Sequence, residues 1–383
     1  MFGERLKLAR KKAGFSLRDL SEALDNRISA QAIGKYERGE MMPSSGILLA
    51  LAQTLDVSLD YLMGARVHKL DGVEFRKKSG TSAKDRARVE AAVIEHVARY
   101  LTIEEILDRD SAEWHRPFAK ERLAQVEEAE QLSTKVREVW NLGEDPIPNL
   151  TELLEEHGIK VCITPLPESV LGMTCMVQHS PEALTGSYAR QAKVTSFQDV
   201  DIVCEVPVIV VNQTHTLERR RLTLAHELAH RLIDEQSSVD LEKAANYFAG
   251  AFLVPAAHLE KEMGKQRRGL GYAELIQLKR MYRVSAAAFL VRLRHLDIID
   301  ESTLVYAFQT FARGWRREEP EGLEDANQRG TQEPPRRFER LCYWALAEKL
   351  ISPSKASKLL QHPLQQIEDA MKGPAREHAH YRQ

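Results

Sequence analysis

The sequence predicts a multidomain, mainly helical protein. It has an N-terminal bundle of five short helices, then an α+β domain on a small mixed sheet, then a C-terminal helical extension. Three observations lead there. A chain of 383 residues is too long for one ordinary core and suggests two or three domains. Residues 4–64 hold short apolar helical patterns punctuated by Ser, Gly and Pro. Between Ile159 and Val211 short apolar runs of strand length appear, flanked on both sides by apolar residues at helical spacing.

The first helix takes its apolar side from Leu6, Leu8 and Ala9 and stops at Gly14. Ser16 caps a second helix carrying Leu17, Leu20 and Leu24, and Ser29 caps a third, Ala30 to Arg38, which turns Ile33 inward beside Tyr36. Gly39 and Pro43 end that helix. Two more follow, through Ile47, Leu48, Leu51, Ala52 and Leu55, then Leu59, Tyr61 and Leu62. Arg5, Arg10, Lys11, Lys12, Arg18, Arg27, Lys35 and Arg38 are expected on the outside. One short polar helix after a tight turn is the arrangement a major-groove reading head requires.

Residues 67–118 read as a polar linker and a helical arm. The arm, 82–109, carries Val89, Val93, Ile94, Val97, Leu101 and Ile106 and suits either the next domain or a dimer contact. After a break at Trp114 to Pro117, a second helix is expected over about 119–140. Asn149 is placed to cap a helix from Leu150 to His157. Strands follow at Ile159–Ile163, Gly172–Val177, Leu184–Tyr188 and Val206–Val211, forming a sheet whose edge can hold an extended polypeptide. Tyr188 and Arg190 can approach a cleft there, although they also fit ordinary sheet positions.

Arg221 to Ile233 contains His226-Glu227-Leu228-Ala229-His230 in a helix-compatible run. Histidines at i and i+4 lie on one helix face, so both imidazoles can converge on a metal ion. Glu227 can then take a proton from a water at an open position. A third ligand is needed, and Asp234, Asp240 and Glu242 all lie close by. Spacing does not choose among them, although Glu242 begins a strongly apolar helix where it can face inward. Asn246, one turn later, can orient a ligand or join the two helices.

Helices through Leu275, Leu278, Tyr282, Phe289, Leu290 and Leu293 are expected behind this site. Residues 312–338, rich in Arg, Glu, Gly and Pro, read as an exposed connector or mobile loop. A helical hairpin follows, with Ser352 and Pro353 opening its second helix. From Lys372 onward a disordered tail is expected, in which His378 and His380 lack ligand spacing.

The formal net charge of −2 excludes a globally basic nucleic-acid coat but not a local DNA-binding surface. Cys162, Cys175, Cys204 and Cys342 form no close-spaced metal pair and read as buried thiols of a reducing compartment. The N-terminus lacks a secretion signal, and no uncharged run reaches membrane-spanning length. A cytoplasmic protein without a membrane partner is expected.

Two stretches resemble known families. Arg10 to Gly14, Ser16, Leu20, Ser29, Ile33, Tyr36-Glu37-Arg38-Gly39, Pro43, Leu51-Ala52 and Leu62 are similar to the Xre family of helix-turn-helix regulators. That resemblance places Ala30, Gln31 and Lys35 at recognition positions, with Gln31 and Lys35 toward base edges and Arg10, Lys11 and Arg38 nearer the backbone. Leu17 stands where members often carry Gln. Arg221 to His230, followed by Glu242-Lys243-Ala244-Ala245-Asn246-Tyr247-Phe248-Ala249 and Pro255, resembles the ImmA/IrrE metallo-endopeptidases, with Leu222 in a usually aromatic position. This implies a zincin-like fold, His226, His230 and Glu242 as ligands of zinc or a similar divalent ion, and Glu227 as catalytic base. Domain boundaries follow at 1–66, 67–118, 119–300 and 301–383.

The expected function is a DNA-binding transcriptional regulator or antitoxin-like protein, dimeric on operator DNA. Its metallopeptidase-like domain would hydrolyse or sense a partner protein, whether substrate, repressor or toxin. The alternative is a non-catalytic repressor or antitoxin that uses the metal domain only as a binding or sensing platform.

Overall fold

The structure is a computed structural model that describes residues 2–57, 59–63, 67–75, 83–107, 114, 116–166, 170–179, 204–267 and 269–372. Its N-terminal part is the expected bundle: α1 (Phe2–Ala13), α2 (Leu17–Ala23), α3 (Ala30–Glu37), α4 (Ser45–Thr54) and α5 (Leu59–Met63). The two anticipated caps form, Ser16 accepting from the Asp19 N–H in a reciprocal capping box and Ser29 from the Ala32 N–H. Leu6, Leu20, Ile33, Leu51 and Leu62 meet in the interior. Arg5 was expected outside, but it is buried and donates to the Tyr61 carbonyl at 2.6 Å. It lies one position before Leu6 on the inward side of α1, and an apolar-only pattern does not register a guanidinium that closes the bundle.

Strand β1 (Val67–Phe75) follows, in a stretch expected to be linker. It pairs antiparallel with β3, and the Asp71-Gly72 pair that reads as a turn falls where the register shifts between Asp71 and Glu74. Next comes α6 (Ala83–Ile106), then α7 (Ala129–Val139), α8 (Leu150–Glu156), β2 (Lys160–Thr164), β3 (Gly172–His179) and β4 (Cys204–Asn212). The described sheet has the order β1-β3-β4-β2 and is mixed, with β2 and β4 parallel and the other pairs antiparallel. The anticipated strand Leu184–Tyr188, with Tyr188 and Arg190, lies outside the described residues, as do His378 and His380.

The helix expected from residue 119 starts a full turn or more later. Lys120 to Gln125 run irregularly, and Glu121 bridges to Ile233 instead, its N–H donating to the Leu232 carbonyl and its carbonyl accepting from the Asp234 N–H. A short 3-10 turn at Val126–Glu128 then leads into α7. Helical periodicity begins only where Val126, Leu132 and Val136 have a core to meet.

Beyond the sheet lie α9 (Leu217–Leu232), α10 (Leu241–Leu253), α11 (Ala256–Met263), α12 (Tyr272–Tyr282), α13 (Ala286–His295), α14 (Glu301–Gln309), α15 (Arg337–Ala347), α16 (Pro353–Leu360) and α17 (Leu364–Lys372). Helix α9 lies against β3 and β4. At Gly172 a Cβ would meet Thr223 Cγ2 at 2.5 Å and the Val210 carbonyl oxygen at 2.8 Å, so the absent side chain lets α9 come down on the sheet. The arm helix α6 packs within its own chain. Its Val89, Val93 and Val97 share one core with the bundle's Leu6 and Leu62 and the sheet's Cys162, Met173 and Val208. Tyr100 and Ile103 pack on Phe338, Leu341 and Ile367 of the C-terminal helices.

Residues 312–338 are mostly exposed, as expected of a connector, yet acidic side chains pin them down. Glu324 holds Arg220 through two bonds of 2.8 and 2.9 Å, Glu333 holds Arg221 at 2.6 Å, and Glu319 holds Lys279 at 2.7 Å. All three cations are buried on α9 or α12. A buried charge is tolerated only when paired, so this segment is a strap over α9 and α12.

Among the described residues, no helix is long and apolar enough to cross a membrane. The Cys162, Cys175 and Cys342 thiols are buried and free. Burial pushes the first up to about 11 and the other two to about 12. The Cys204 side chain lies outside the described residues.

Candidate metal centre, cleft and helix-turn-helix surface

Helix α9 presents His226 and His230 one turn apart, their Nε2 atoms 3.0 Å from each other. Helix α10 crosses α9 and brings Glu242 to them, with Oε2 3.6 Å from His226 Nε2 and Oε1 3.5 Å from His230 Nε2. One ligand atom from each residue falls within 4.8 Å of the others. His226 is enclosed, His230 is partly open and the Glu242 side chain is 51% exposed, so the group opens toward solvent through its carboxylate.

The other acids are used elsewhere. Asp240 caps α10 by accepting from the Glu242 and Lys243 N–H groups. Asp234 accepts from the Gln236 N–H and pairs with Arg122 at 3.1 Å. Those bonds hold its carboxyl below the usual carboxylate range, the Gln236 bond first. Geometry thus selects Glu242 from the three candidates.

Asn246 reaches His226 from α10, a contact that suits both the orienting and the helix-joining role. Its Oδ1 lies 3.0 Å from His226 Nδ1, which fixes the proton there if the imidazole is neutral and leaves the Nε2 lone pair facing the group. Two imidazoles and a carboxylate, one imidazole oriented from behind, form a donor set suited to zinc. Glu227 is buried at 3% exposure on the same helix.

A cleft of about 740 Å³ opens beside this group, with His226 and Asn246 in its wall. Among the described residues, neither β1 nor β2 contributes to its lining. Arg219, Arg316, Arg317 and Arg329 do line it. Sequence reading missed the last three because they sit in the presumed connector. The dense basic run Arg313-Gly-Trp-Arg-Arg317 was the available signal.

In the bundle, α2 and α3 form the helix-turn-helix pair. Gln31 and Lys35 are exposed on α3 and Ala30 is half-buried beside them. Lys11 is exposed, and Arg38 is exposed with Glu40 at 2.5 Å. Arg10 differs: it makes a bidentate pair with Glu37, at 2.5 and 2.9 Å, and also donates to the Phe15 carbonyl. Both partners are largely buried, so Arg10 ties α1 to α3. Gly3 permits that approach, since a Cβ there would stand 2.4 Å from the Glu37 carbonyl oxygen.

Residues 6–62 match a helix-turn-helix family model, and residues 154–294 match the model of the IrrE N-terminal-like domain, peptidase family M78. The N-terminal region is 40% identical over 62 residues to the HTH-type transcriptional regulator ImmR of Bacillus subtilis, covering 16% of this chain and 47% of ImmR. It is 41% identical over 63 residues to YonR, an SPbeta prophage-derived uncharacterized HTH-type transcriptional regulator of the same species, covering 16% of this chain and 56% of that protein. The chain thus spans about half the length of the curated relatives it matches. No solved structure matches it. These matches and the fold agree: the chain fuses an N-terminal Xre-type helix-turn-helix regulator domain to an ImmA/IrrE-like peptidase domain.

Proposed function

We propose that this protein is a cytoplasmic DNA-binding regulator whose fused domain binds one zinc ion and hydrolyses a partner polypeptide. The observation that carries the reading is the convergence of His226, His230 and Glu242 within 4.8 Å, with Asn246 behind His226. Zinc, when bound, supplies Lewis acidity that makes water nucleophilic at neutral pH.

This chain's residues do the rest. Asn246 holds His226 in the tautomer that offers Nε2. Glu227 would accept the proton of the attacking water as the C–O bond forms and then pass it to the amide nitrogen, so that the C–N bond breaks in a second step and the amine leaves protonated. The cleft beside His226 receives the polypeptide. At the other end, Gln31 and Lys35 of α3 face the major groove, with Ala30 beside them, while Lys11 and Arg38 lie toward phosphates. One short recognition helix covers half of a convincing operator, so the DNA-bound form is a homodimer, and the partner is a repressor or toxin.

Metal analysis of protein purified without chelator, alongside cleavage assays on candidate partners, tests the reading. One zinc per chain is expected, lost in His226→Ala and retained in Glu227→Gln, with cleavage abolished in both. Equal metal in His226→Ala and in a variant of a histidine far from the group along the chain, such as His362→Ala, would sink the metal assignment. Cleavage by Glu227→Gln at the wild-type rate would remove Glu227 as the base.

A further inference from the structure

We infer that the strap over residues 312–338 is a specificity element that selects an acidic polypeptide segment for the cleft beside the metal centre. This rests on the proposed peptidase reading and deepens it by naming the substrate class.

The match to the IrrE N-terminal-like domain ends at residue 294, and the strap lies beyond it. Even so, the strap contributes Arg316, Arg317 and Arg329 to the lining of the cleft that His226 and Asn246 also line. All three are exposed. Arg329 donates to the Thr214 carbonyl at 3.1 Å, which fixes it beside the N-terminus of α9, and Arg316 lies 4.6 Å from the Phe308 ring centroid. Arg219, on the first turn of α9, and Arg292, which is paired with Glu130, also belong to the lining. The acid there, Glu319, is already committed to Lys279 and to the Ala286 N–H.

Three exposed strap arginines, Arg316, Arg317 and Arg329, against one lining carboxylate already bound by Lys279 give the cleft a positive field in a protein whose formal net charge is −2. A walled cleft concentrates such a field and draws in ligands of opposite sign. Guanidinium groups pair with side-chain carboxylates through two parallel bonds, so Asp- and Glu-rich segments suit this lining, and basic ones are repelled. The strap's position is not accidental. Buried pairs of Arg220 with Glu324 and Arg221 with Glu333 anchor it directly to the helix that bears His226 and His230.

The test measures binding without hydrolysis, by fluorescence anisotropy of labelled deca-glutamate, deca-lysine and Gly-Ser decapeptides on the full-length protein. The wild type should prefer deca-glutamate. The double reversal Arg316→Glu/Arg317→Glu should weaken that binding roughly tenfold, and the milder Arg329→Gln should weaken it in the same direction. Lys358→Glu/Lys372→Glu, which changes net charge equally on helices that do not line the cleft, should leave it unchanged. Equal losses in the cleft and control variants, or no preference for deca-glutamate over the Gly-Ser peptide, would overturn the assignment. A matching loss of random-duplex binding in the cleft variant would also overturn it, by giving these arginines to nucleic acid. Metal content is measured on the same samples. Failure of the metal or peptidase reading therefore shows as missing zinc or missing cleavage with acidic-peptide binding intact.

Discussion

Lys160 Nζ lies 2.6 Å from Glu104 Oε1, both side chains almost wholly enclosed, and the pair ties the arm helix α6 to the edge strand β2. Arg337 of α15 reaches the same carboxylate oxygen at 2.9 Å, so one acid serves two cations from different elements. Burial favours the neutral form of Lys160 and Glu104 opposes that, the balance leaving the amine below its ordinary value. Removing the shared acid strands two cations, whereas removing Lys160 leaves Glu104 still paired with Arg337. Glu104→Ala should therefore destabilise the fold by roughly 3–5 kcal/mol, and Lys160→Met by clearly less. Urea unfolding of the two variants checks this, and equal losses would show that Arg337 does not sustain the acid.

Glu155, beside this network, yields a pH dependence. Burial first of all pushes its carboxyl up to about 7, partly offset by the bond from the Arg337 N–H. The folded protein therefore holds a proton between about 4.5 and 7 that the unfolded chain releases. Its stabilising contribution is full below the unfolded value and is lost as pH rises through 7. Stability should fall across that window by roughly 1–3 kcal/mol from this group. Glu155→Gln should flatten the slope in denaturant titrations at pH 5, 6 and 7; an unaltered slope would reject the assignment.

Asn246 meets the metal group through His226 Nδ1. Asn246→Ala should weaken zinc affinity about 10–100-fold while leaving the fold intact, the range typical for losing such an orienting partner. Asn246→Asp, which keeps an acceptor oxygen, should restore much of it. Competition with a chromogenic chelator reads both. Unchanged affinity in Asn246→Ala would show that packing alone orients His226.

Much of this was legible because it depends on local spacing. Two histidines four apart on a helix must share a face, and Ser16 and Ser29 cap helices wherever the following turns are helical. The choice of Glu242 over Asp234 and Asp240 was not legible from spacing, because it depends on the crossing of α10 over α9 and on the two aspartates having other partners. Strand β1 was hidden because its polar stretch around Asp71-Gly72 reads as linker, whereas in the fold it accompanies an irregularity in the β1–β3 register. The strap looked like loose connector because its anchors, Glu319, Glu324 and Glu333, answer cations that are distant in sequence. Arg10 shows the same limit from the other side. Its basic character suggested a DNA contact, and Glu37 already occupies it.

On DNA, Gln31 carries the most specific expectation. It is exposed near the N-terminus of α3, and a Gln there can make paired bonds to adenine. Gln31→Ala should cost about 1–3 kcal/mol at one base pair and relax discrimination there. Matched and mismatched duplexes, taken from a selection on random sequences, measure this. An equal loss on every duplex would reassign Gln31 to backbone positioning.

The two ends should also be energetically linked. Helix α6 shares one core with the bundle and the sheet, so Val93 and Val97 pack among residues of both. A partner that changes the sheet's side of that core has a packed route to the reading head, and any effect must run both ways. A polypeptide bound in the cleft should alter affinity for the selected duplex, and the duplex should alter affinity for the polypeptide by the same factor. The measurement is duplex affinity with and without saturating partner, repeated in Glu227→Gln. A shift retained in Glu227→Gln would show control through binding rather than hydrolysis, and a shift lost there would make cleavage the switch. Unchanged duplex affinity in both proteins would reject coupling for the partner tested.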